Sequence, residues 1–329
     1  MSNKPVAKIL GTGSAVSGKV LTNSDLEKMV ETSDEWIRER TGIERRHILE
    51  EGKANSDLAT EAAEEALKDA GITAEDLDMI MIATVTPDTT FPSTACRVQN
   101  NIGAKNAAAM DIAAACSGFI YGITLANSLI ATGAAKHVLV VGSEVLSRIT
   151  DWEDRGTCVL FGDGAGAAVI GPSDDEKGVL SAYIKADGRL GDLLHLPGGG
   201  SLNPPTHETV DQRLHFIKME GNKIFKHAVR TMRDAALHGL DLAGVASEDL
   251  DLLIPHQANL RIIEAIQSRL KLTDEQVFIN VHEYGNTSAA SIPIAMNQAR
   301  REGRLKEGHK CLLVAFGGGF TWGASLIQF

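Results

Sequence analysis

Cysteine is scarce in this chain, with Cys96, Cys116, Cys158 and Cys311 the four among 329 residues. They form no CxxC pair and lie 20, 42 and 153 positions apart, too thinly spread for a disulfide framework. A small disulfide-stapled scaffold is thereby excluded, and a reducing, cytoplasmic setting is expected. Long apolar runs are also missing: no segment offers eighteen uninterrupted apolar residues, and the opening MSNKPVAKILGTGSAV lacks a basic stretch followed by an apolar run and a cleavage site. Neither a membrane span nor a secretory leader is expected. Basic charge is short, 32 Lys and Arg against 43 Asp and Glu for a net charge of -11. Such a chain repels a phosphate backbone unless its cations cluster, so nucleic acid is not an expected partner. What the chain does have is apolar material, 43% of residues against 23% charged, which excludes disorder over most of its length. Its length suits two domains or one large α/β unit.

An internal repeat organises it. EDLDMI at 75–80 returns as EDLDLL at 248–253, an offset of 173. At the same offset VAKILGTG from Val6 meets VLSAYIKADG from Val179, and at 174 the run VLVV from Val138 meets LLVA from Leu312. Three matched elements in one order point to a duplication, with halves 1–173 and 174–329. Each half reads as strands alternating with helices, judged from short apolar runs between amphipathic stretches, and this predicts mainly parallel sheets covered by helices. Strands are expected near 6–12, 78–84, 107–112 and 137–142, and again near 179–186, 251–255, 277–281 and 311–316. Helices are expected near 56–70, 93–102 and 117–132, and near 220–238, 259–270 and 287–301. Ser56 is a candidate N-cap for the first, where Leu58, Ala62, Ala66 and Ala70 share a face. Three stretches interrupt the repeat: a mostly helical Thr22–Ile48 carrying Trp36, Arg38 and Arg40, then Ser143–Arg155, then a Pro- and Gly-rich surface loop over Asp192–Phe216.

Cys116 closes AAMDIAAAC and precedes SGFIYGITLANSLI, whose Phe119, Ile123, Ala126 and Ile130 lie on one helical side. A thiol at a strand-to-helix junction faces unpaired N–H groups and the positive helix end, which lowers its pKa and favours nucleophilic attack. The alternative is a small buried hydrophobe, the reading given to Cys96, Cys311 and Cys158, the last in a strand-like TCVLF. His256 directly follows the strand-like LLIP, which Pro255 stops, and Asn286 follows a Gly285 turn just before the position the repeat pairs with Cys116. Ligands gather at the carboxyl ends of parallel strands, so the three residues can converge. Imidazole and carboxamide suit hydrogen-bond donation to an oxyanion or enolate; taken singly, a strand-end His and a capping Asn serve as well. The remaining histidines show no metal-ligand spacing, so no metal is expected. GTGSAVSG (Gly11–Gly18) departs from GxGxxG and reads as a turn. FGDGAGAAVIG (Phe161–Gly171) lacks a GK[ST] ending and reads as close backbone packing. FGGGFTWG (Phe316–Gly323) is either an oxyanion-binding loop or a hairpin.

DIAAACSGF, IPHQAN, GNTSAAS and FGGGFTWG, in that order and at those separations, resemble β-ketoacyl-acyl carrier protein synthase III, the condensing enzyme that initiates type II fatty-acid synthesis. The similarity runs essentially end to end. It implies the thiolase fold, a duplicated αβαβα five-layered sandwich with mixed sheets, and a homodimer. It implies Cys116 as the acylated nucleophile, with His256 and Asn286 as donors for malonyl decarboxylation, and the N–H groups of Cys116 and Gly318 as the oxyanion hole. Trp36, Arg40, Arg155, Gly156 and Asn259 fall where the family binds coenzyme A. Gln257, Ala258, Asn259, Leu260 and Arg261 fall on its acyl-carrier-protein docking patch, and Phe91 on the position that closes the acyl tunnel in short-chain members. The implied substrates are a short acyl-CoA, acetyl or branched, and malonyl-acyl carrier protein, with no cofactor. Two other readings stand beside this one: a polyketide-type synthase with another acceptor, and a catalytically silent scaffold of the same fold. A thiolase proper would want a second cysteine, for which Cys311 is a weak candidate.

Overall fold

The computed structural model describes residues 6–175 and 177–329. Its first sheet is built from the segments with the longest apolar runs. Val138–Val145 lies at its centre and is buried along its whole length. Even positions Val138 and Val140 face one layer and odd positions Leu139 and Val141 the opposite one, as the two-residue period of a strand requires. Burying each such side chain contributes about 1.5–3 kcal/mol, so a strand covered on both faces fixes its own register. The full order is Ala7–Ala15, Asp163–Pro172, Val138–Val145, Met79–Ala83, Ala108–Ile112. Met79–Ala83 runs parallel to both its neighbours, and the other two pairings are antiparallel.

The second sheet repeats this arrangement as Gly178–Ala186, Thr321–Gln328, Lys310–Gly317, Leu252–Pro255, parallel at the last pairing and antiparallel elsewhere. Between the sheets lie Gly118–Ala131 and Ser291–Arg301, whose apolar faces share one cluster with residues from both. Asn55–Ala70 and Thr94–Asn101 cover the outer face of the first sheet, and Gly221–Ala243 and Leu260–Leu270 that of the second. Five layers result, a duplicated thiolase fold.

Several local expectations are corrected. Asp163–Pro172 and Thr321–Gln328 are full strands that the apolar-run reading passed over, because their small residues pack against backbone rather than against large side chains. Likewise Gly11 and Gly13 are not in a turn: they lie within Ala7–Ala15, where a Cβ would come 2.3 Å from Ala70 N and 2.3 Å from Ala62 O of the covering helix. The expected strand at 277–281 shrinks to one bridge, Leu253 to Val277. There the carboxamide of Gln257 replaces a neighbouring strand, donating to Phe278 O and accepting from Asn280 N. The helix expected to begin at Ser56 is capped instead at Ala54, whose N–H donates to Asp57 at 2.7 Å, while Ser56 binds Asp88. Cys158 ends a short helix, Arg155–Cys158, not a strand.

The first inserted stretch is a ribbon, Val20–Thr22 with Arg45–His47, enclosing helices Asn23–Leu26 and Asp34–Thr41. Arg46 anchors it. Fully buried, this guanidinium donates to Leu21 O, Asn23 Oδ1 and Val159 O, joining the insertion to the segment after Arg155–Cys158.

Candidate active site

The two halves meet at a pair of matching turns. Ala115–Ser117 leads into Gly118–Ala131, and 173 residues later Ser288–Ala290 leads into Ser291–Arg301. Ala115 (φ 45°) and Ser288 (φ 48°), at equivalent places, both adopt the left-handed conformation that non-glycine residues avoid. The turns approach so closely that side chains must be absent nearby. A Cβ on Gly142 would stand 2.1 Å from Ala289 O, and one on Gly317 would stand 2.6 Å from Cys116 N. FGGGFTWG is therefore a hairpin, joining Lys310–Gly317 to Thr321–Gln328, and its glycines also make room for the thiol.

Cys116 lies between two connected spaces. One, about 560 Å³, is lined by Cys116, His256, Asn286, Phe316 and Gly317 and extends to Trp36, Arg40, Gly156, Asn259 and Arg261. The other, about 270 Å³, holds Cys116, Gly318 and Ser288 together with apolar Val85, Leu146, Phe161 and Ile217. Cys116, His256 and Asn286 are thus brought together, with Gly318 beside the thiol. Burial governs the thiol's acidity: its pKa is pushed up to about 12, with the Ser288 hydroxyl lowering it and the Glu144 charge raising it further. The lowering expected from the helix end is outweighed, because desolvation penalises thiolate more than its donors stabilise it.

His256 is 3% exposed and burial drives its pKa down to about 3, so it is neutral. Its Nδ1 lies 2.7 Å from Ser291 Oγ, which accepts from Gln257 N–H at 3.3 Å. We assign the serine hydroxyl as the donor to Nδ1, which puts the ring hydrogen of the neutral imidazole on Nε2 as a donor toward the cavity. Asn286 is oriented in the same fashion. Its Oδ1 accepts from Ser288 N–H at 2.9 Å, which leaves the Nδ2 hydrogens as the group available to a ligand. Its backbone is bonded to Leu160 O and Gly162 N, so FGDG serves as a clamp on this residue.

Farther out, the guanidinium groups of Arg40 and Arg155 lie over the Trp36 ring, 4.7 and 4.9 Å from its centroid. Arg155 does not line the cavity and donates to Glu31 O. Asn259 caps Leu260–Leu270 through Arg261 N–H and donates to Arg40 O, tying the insertion to the second half. Within the expected docking patch Gln257 is buried, Ala258 and Leu260 are half-buried, and Arg261 is exposed. Phe91 is 84% exposed and lines neither cavity, so in a single chain it closes nothing. Cys311 is fully buried in its strand of the second sheet, packed toward the helices between the sheets and away from the cavity, and supplies no second thiol there. Among the described residues no three His, Cys, Asp or Glu form a metal-binding group.

Sequence reasoning missed Ser288, Ser291 and Glu144. The serines were visible only as part of GNTSAAS; the signal for Glu144 was a lone acid inside the apolar run VLVVGSEVL.

The family model described as 3-oxoacyl-[acyl-carrier-protein] synthase III matches residues 110–188, and the model for that family's C-terminal portion matches 240–329. The chain is 57% identical over 328 residues to the β-ketoacyl-[acyl-carrier-protein] synthase III of Caldanaerobacter subterraneus subsp. tengcongensis, covering 100% of this chain and 99% of that protein. The chain belongs to the 3-oxoacyl-[acyl-carrier-protein] synthase III family. It is accordingly an acyl-transferring condensing enzyme of fatty-acid synthesis. The solved 3-oxoacyl-[acyl-carrier-protein] synthase III of Aquifex aeolicus VF5 superposes with a TM-score of 0.92 at 50% identity, over 98% of this chain and 100% of that one. The priming β-ketosynthase of the R1128 polyketide pathway has a similar structure, TM-score 0.91 at 31% identity, over 100% and 98%. No helix among the described residues of this synthase III chain is long and apolar enough to cross a membrane.

Proposed function

We propose that the chain primes fatty-acid synthesis by condensing a short acyl-CoA with malonyl-acyl carrier protein, using Cys116, His256 and Asn286. The observation that carries this reading is the single cavity that all three line, open toward Trp36 and Arg40 on one side and continuous at Cys116 with an apolar space on the other. Cys116 Sγ attacks the acyl thioester, and its proton departs on the coenzyme A sulfur. The N–H groups of Cys116 and Gly318 hold the tetrahedral oxyanion, and the acyl chain enters the apolar space. Malonyl thioester then occupies the vacated side and loses CO2. His256 Nε2–H and Asn286 Nδ2–H hold the enolate oxygen, and the enolate carbon attacks the acyl-cysteine. The released Cys116 thiolate takes a proton from solvent. A permanently neutral His256 suits this role, since it donates without needing to titrate.

Trp36 with the Arg40 guanidinium over its ring offers a flat, cationic surface for adenine and its phosphates, with Gly156 and Asn259 along the channel and Arg155 holding the tryptophan. An acidic carrier meets a local positive mouth, Arg261 and Arg40, despite the net charge of -11. Gln257 supports that mouth from beneath rather than touching the partner. Ala108–Ile112 is an edge strand of the first sheet, and we assign it to a homodimer in which the exposed Phe91 serves the second copy's apolar space. Four free cysteines support a cytoplasmic setting, and no cofactor is required.

Intact-protein mass spectrometry with an acyl-CoA panel tests the reading. Acetyl-CoA and short branched acyl-CoAs should leave a stable adduct that malonyl-acyl carrier protein discharges, and Cys116→Ala should abolish it. Comparable labelling by dodecanoyl-CoA would refute the short-chain assignment. Discharge by malonyl-CoA but not by the carrier thioester would favour a polyketide-type acceptor, and no adduct at all would favour a silent scaffold.

A further inference from the structure

The hairpin that carries Gly318 must be held in place against the turn that carries Cys116, and its own glycines cannot do this. Its loop is Gly318, Gly319 and Phe320, closed by the pair Gly317 and Thr321. Glycine leaves a backbone free over the widest range of conformations. The missing side chains let the two backbones touch, with a Cβ on Gly317 only 2.6 Å from Cys116 N, yet they supply no bond between them. Phe320 fastens the loop elsewhere. Its ring is buried, and its N–H and C=O are both bonded to Asp187 at 2.8 Å, at the end of Gly178–Ala186 and not at the thiol turn.

Thr321 makes the missing connection, and makes it on both sides of the nucleophile. Its Oγ1–H donates to Ala114 O at 2.7 Å, and its carbonyl accepts from Ser117 Oγ at 3.1 Å. Ser117 is fully buried, and its N–H donates to the same Ala114 O at 3.2 Å. Both lone pairs of that carbonyl are thus occupied, and the turn is closed on itself as it is joined to the hairpin. Gly318 O, 3.3 Å from the Thr321 hydroxyl, is the weaker of its two acceptors. Between these links the N–H groups of Cys116 and Gly318 donate to no backbone oxygen among the described residues. Unpaired N–H groups beside a thiol are donors kept for a ligand.

We propose that Thr321 is a positioning residue for the reaction: by tying Ala114 and Ser117 to the hairpin, it fixes the separation and aim of the Cys116 and Gly318 N–H groups that hold the oxyanion. This rests on the proposed roles of Cys116 and Gly318. Donors stabilise an oxyanion only within about 2.7–3.1 Å of the place where its charge develops, so a hairpin displaced by about 1 Å loses much of that stabilisation while the thiol itself is undisturbed. The step that responds is attack of Cys116 Sγ on an acyl thioester, in which the carbonyl oxygen becomes anionic. Displacement of iodide from iodoacetamide by the same sulfur forms no oxyanion and does not use these donors.

The test compares these two reactions of one sulfur on the full chain, in the wild type, Thr321→Val, Thr321→Ser, Ser117→Ala and Cys116→Ala. Acylation by acetyl-CoA is followed by intact-protein mass in single turnovers over a range of concentrations, and alkylation by loss of the free thiol. Thr321→Val keeps the branched shape and removes the hydroxyl. It should slow acylation at saturating acetyl-CoA by about 10- to 100-fold, with the half-saturating concentration unchanged and alkylation within about twofold of wild type. Thr321→Ser restores the hydroxyl and should return acylation to within about threefold of wild type; Ser117→Ala, which breaks only the second link, should show the same selective loss at about threefold to tenfold. Equal slowing of both reactions in Thr321→Val would overturn the inference by showing a turn that is only loosened. So would unchanged acylation, or a Thr321→Ser variant no faster than Thr321→Val. If Thr321→Val does not fold, the ratio of acylation to alkylation in Ser117→Ala decides by the same criterion. Acyl adducts surviving in Cys116→Ala would instead overturn the assignment of the nucleophile.

Discussion

The turns Ala115–Ser117 and Ser288–Ala290 share one backbone design, down to the left-handed residue at equivalent positions, yet they carry different chemistry. The first presents a thiol at the start of a central helix. The second presents Ala289 at the matching place, and its contribution lies on either side: Asn286 and Ser288 before it, Ser291 after it. Duplication supplied two copies of a strained elbow facing each other, and divergence left a thiol on one and hydrogen-bonding side chains around the other; on the proposed reading the first seats the nucleophile. The difference teaches that the second half positions donors rather than reacting itself.

The comparison can be broken by removing donors from the second half. His256→Ala or Asn286→Ala should cut decarboxylative condensation by about 10²–10³, the usual cost of deleting an oxyanion donor, while sparing acylation of Cys116; single-turnover assays of each half-reaction check this, and equal loss in both would count against the division of labour. Gly142→Ala attacks the contact between the elbows themselves. With Ala289 O only 2.1 Å from the new Cβ, stability should fall by about 3 kcal/mol, read from denaturant midpoints. Unchanged stability would mean the turns are free to separate.

Ser291→Ala sharpens the comparison more gently. Releasing Nδ1 lets the imidazole sample the other tautomer, so condensation should fall about tenfold with acylation retained, the scale of one lost orienting hydrogen bond. The smallest effect is expected farthest from the elbows: Trp36→Ala should raise KM for acyl-CoA by about threefold to tenfold and leave kcat nearly unchanged, the cost of lost stacking.

His256 and Glu144 also predict opposite pH trends in stability. A histidine whose folded pKa lies below its unfolded value protects the fold above about pH 6.5, and that contribution is lost as pH falls toward 3. A carboxyl whose folded pKa is raised contributes below about pH 4.5 and loses that contribution as pH rises through about 7. Glu144→Gln should therefore remove the decline between pH 4.5 and 7, followed by thermal unfolding across that range.

Much of the fold was legible because strands and helices announce themselves by period. Val138–Val145 opens on an unbroken apolar run, 138–142, Lys310–Gly317 is apolar from Cys311 onward, and Leu260–Leu270 keeps Ile262, Ile263, Ile266 and Leu270 inward. Asp163–Pro172 was illegible for the converse reason: its Gly164 and Gly166 pack by the absence of side chains, against Ile294 and Pro293 of the other half, and no local pattern records that. Gln257 was expected on the docking surface only through the resemblance of its segment, whereas its carboxamide completes a missing strand underneath. Phe91, placed at the acyl-tunnel position by the resemblance of TFPSTAC, is exposed in the single chain, since a loop's direction is set by what it packs against.

By itself the sequence determined the duplication, the alternation of elements, the family and the candidate reactive side chains, because these reside in periodicity and in the order of motifs. Only the tertiary structure decided the protonation and aim of those side chains. A thiol acidified by a helix end on paper is made a weak acid by burial, and the hydrogens of His256 and Asn286 are directed by Ser291 and Ser288. Desolvation and hydrogen-bond direction depend on what surrounds an atom in space, and residues as far apart in the chain as Glu144 and Ser288 become neighbours only after folding.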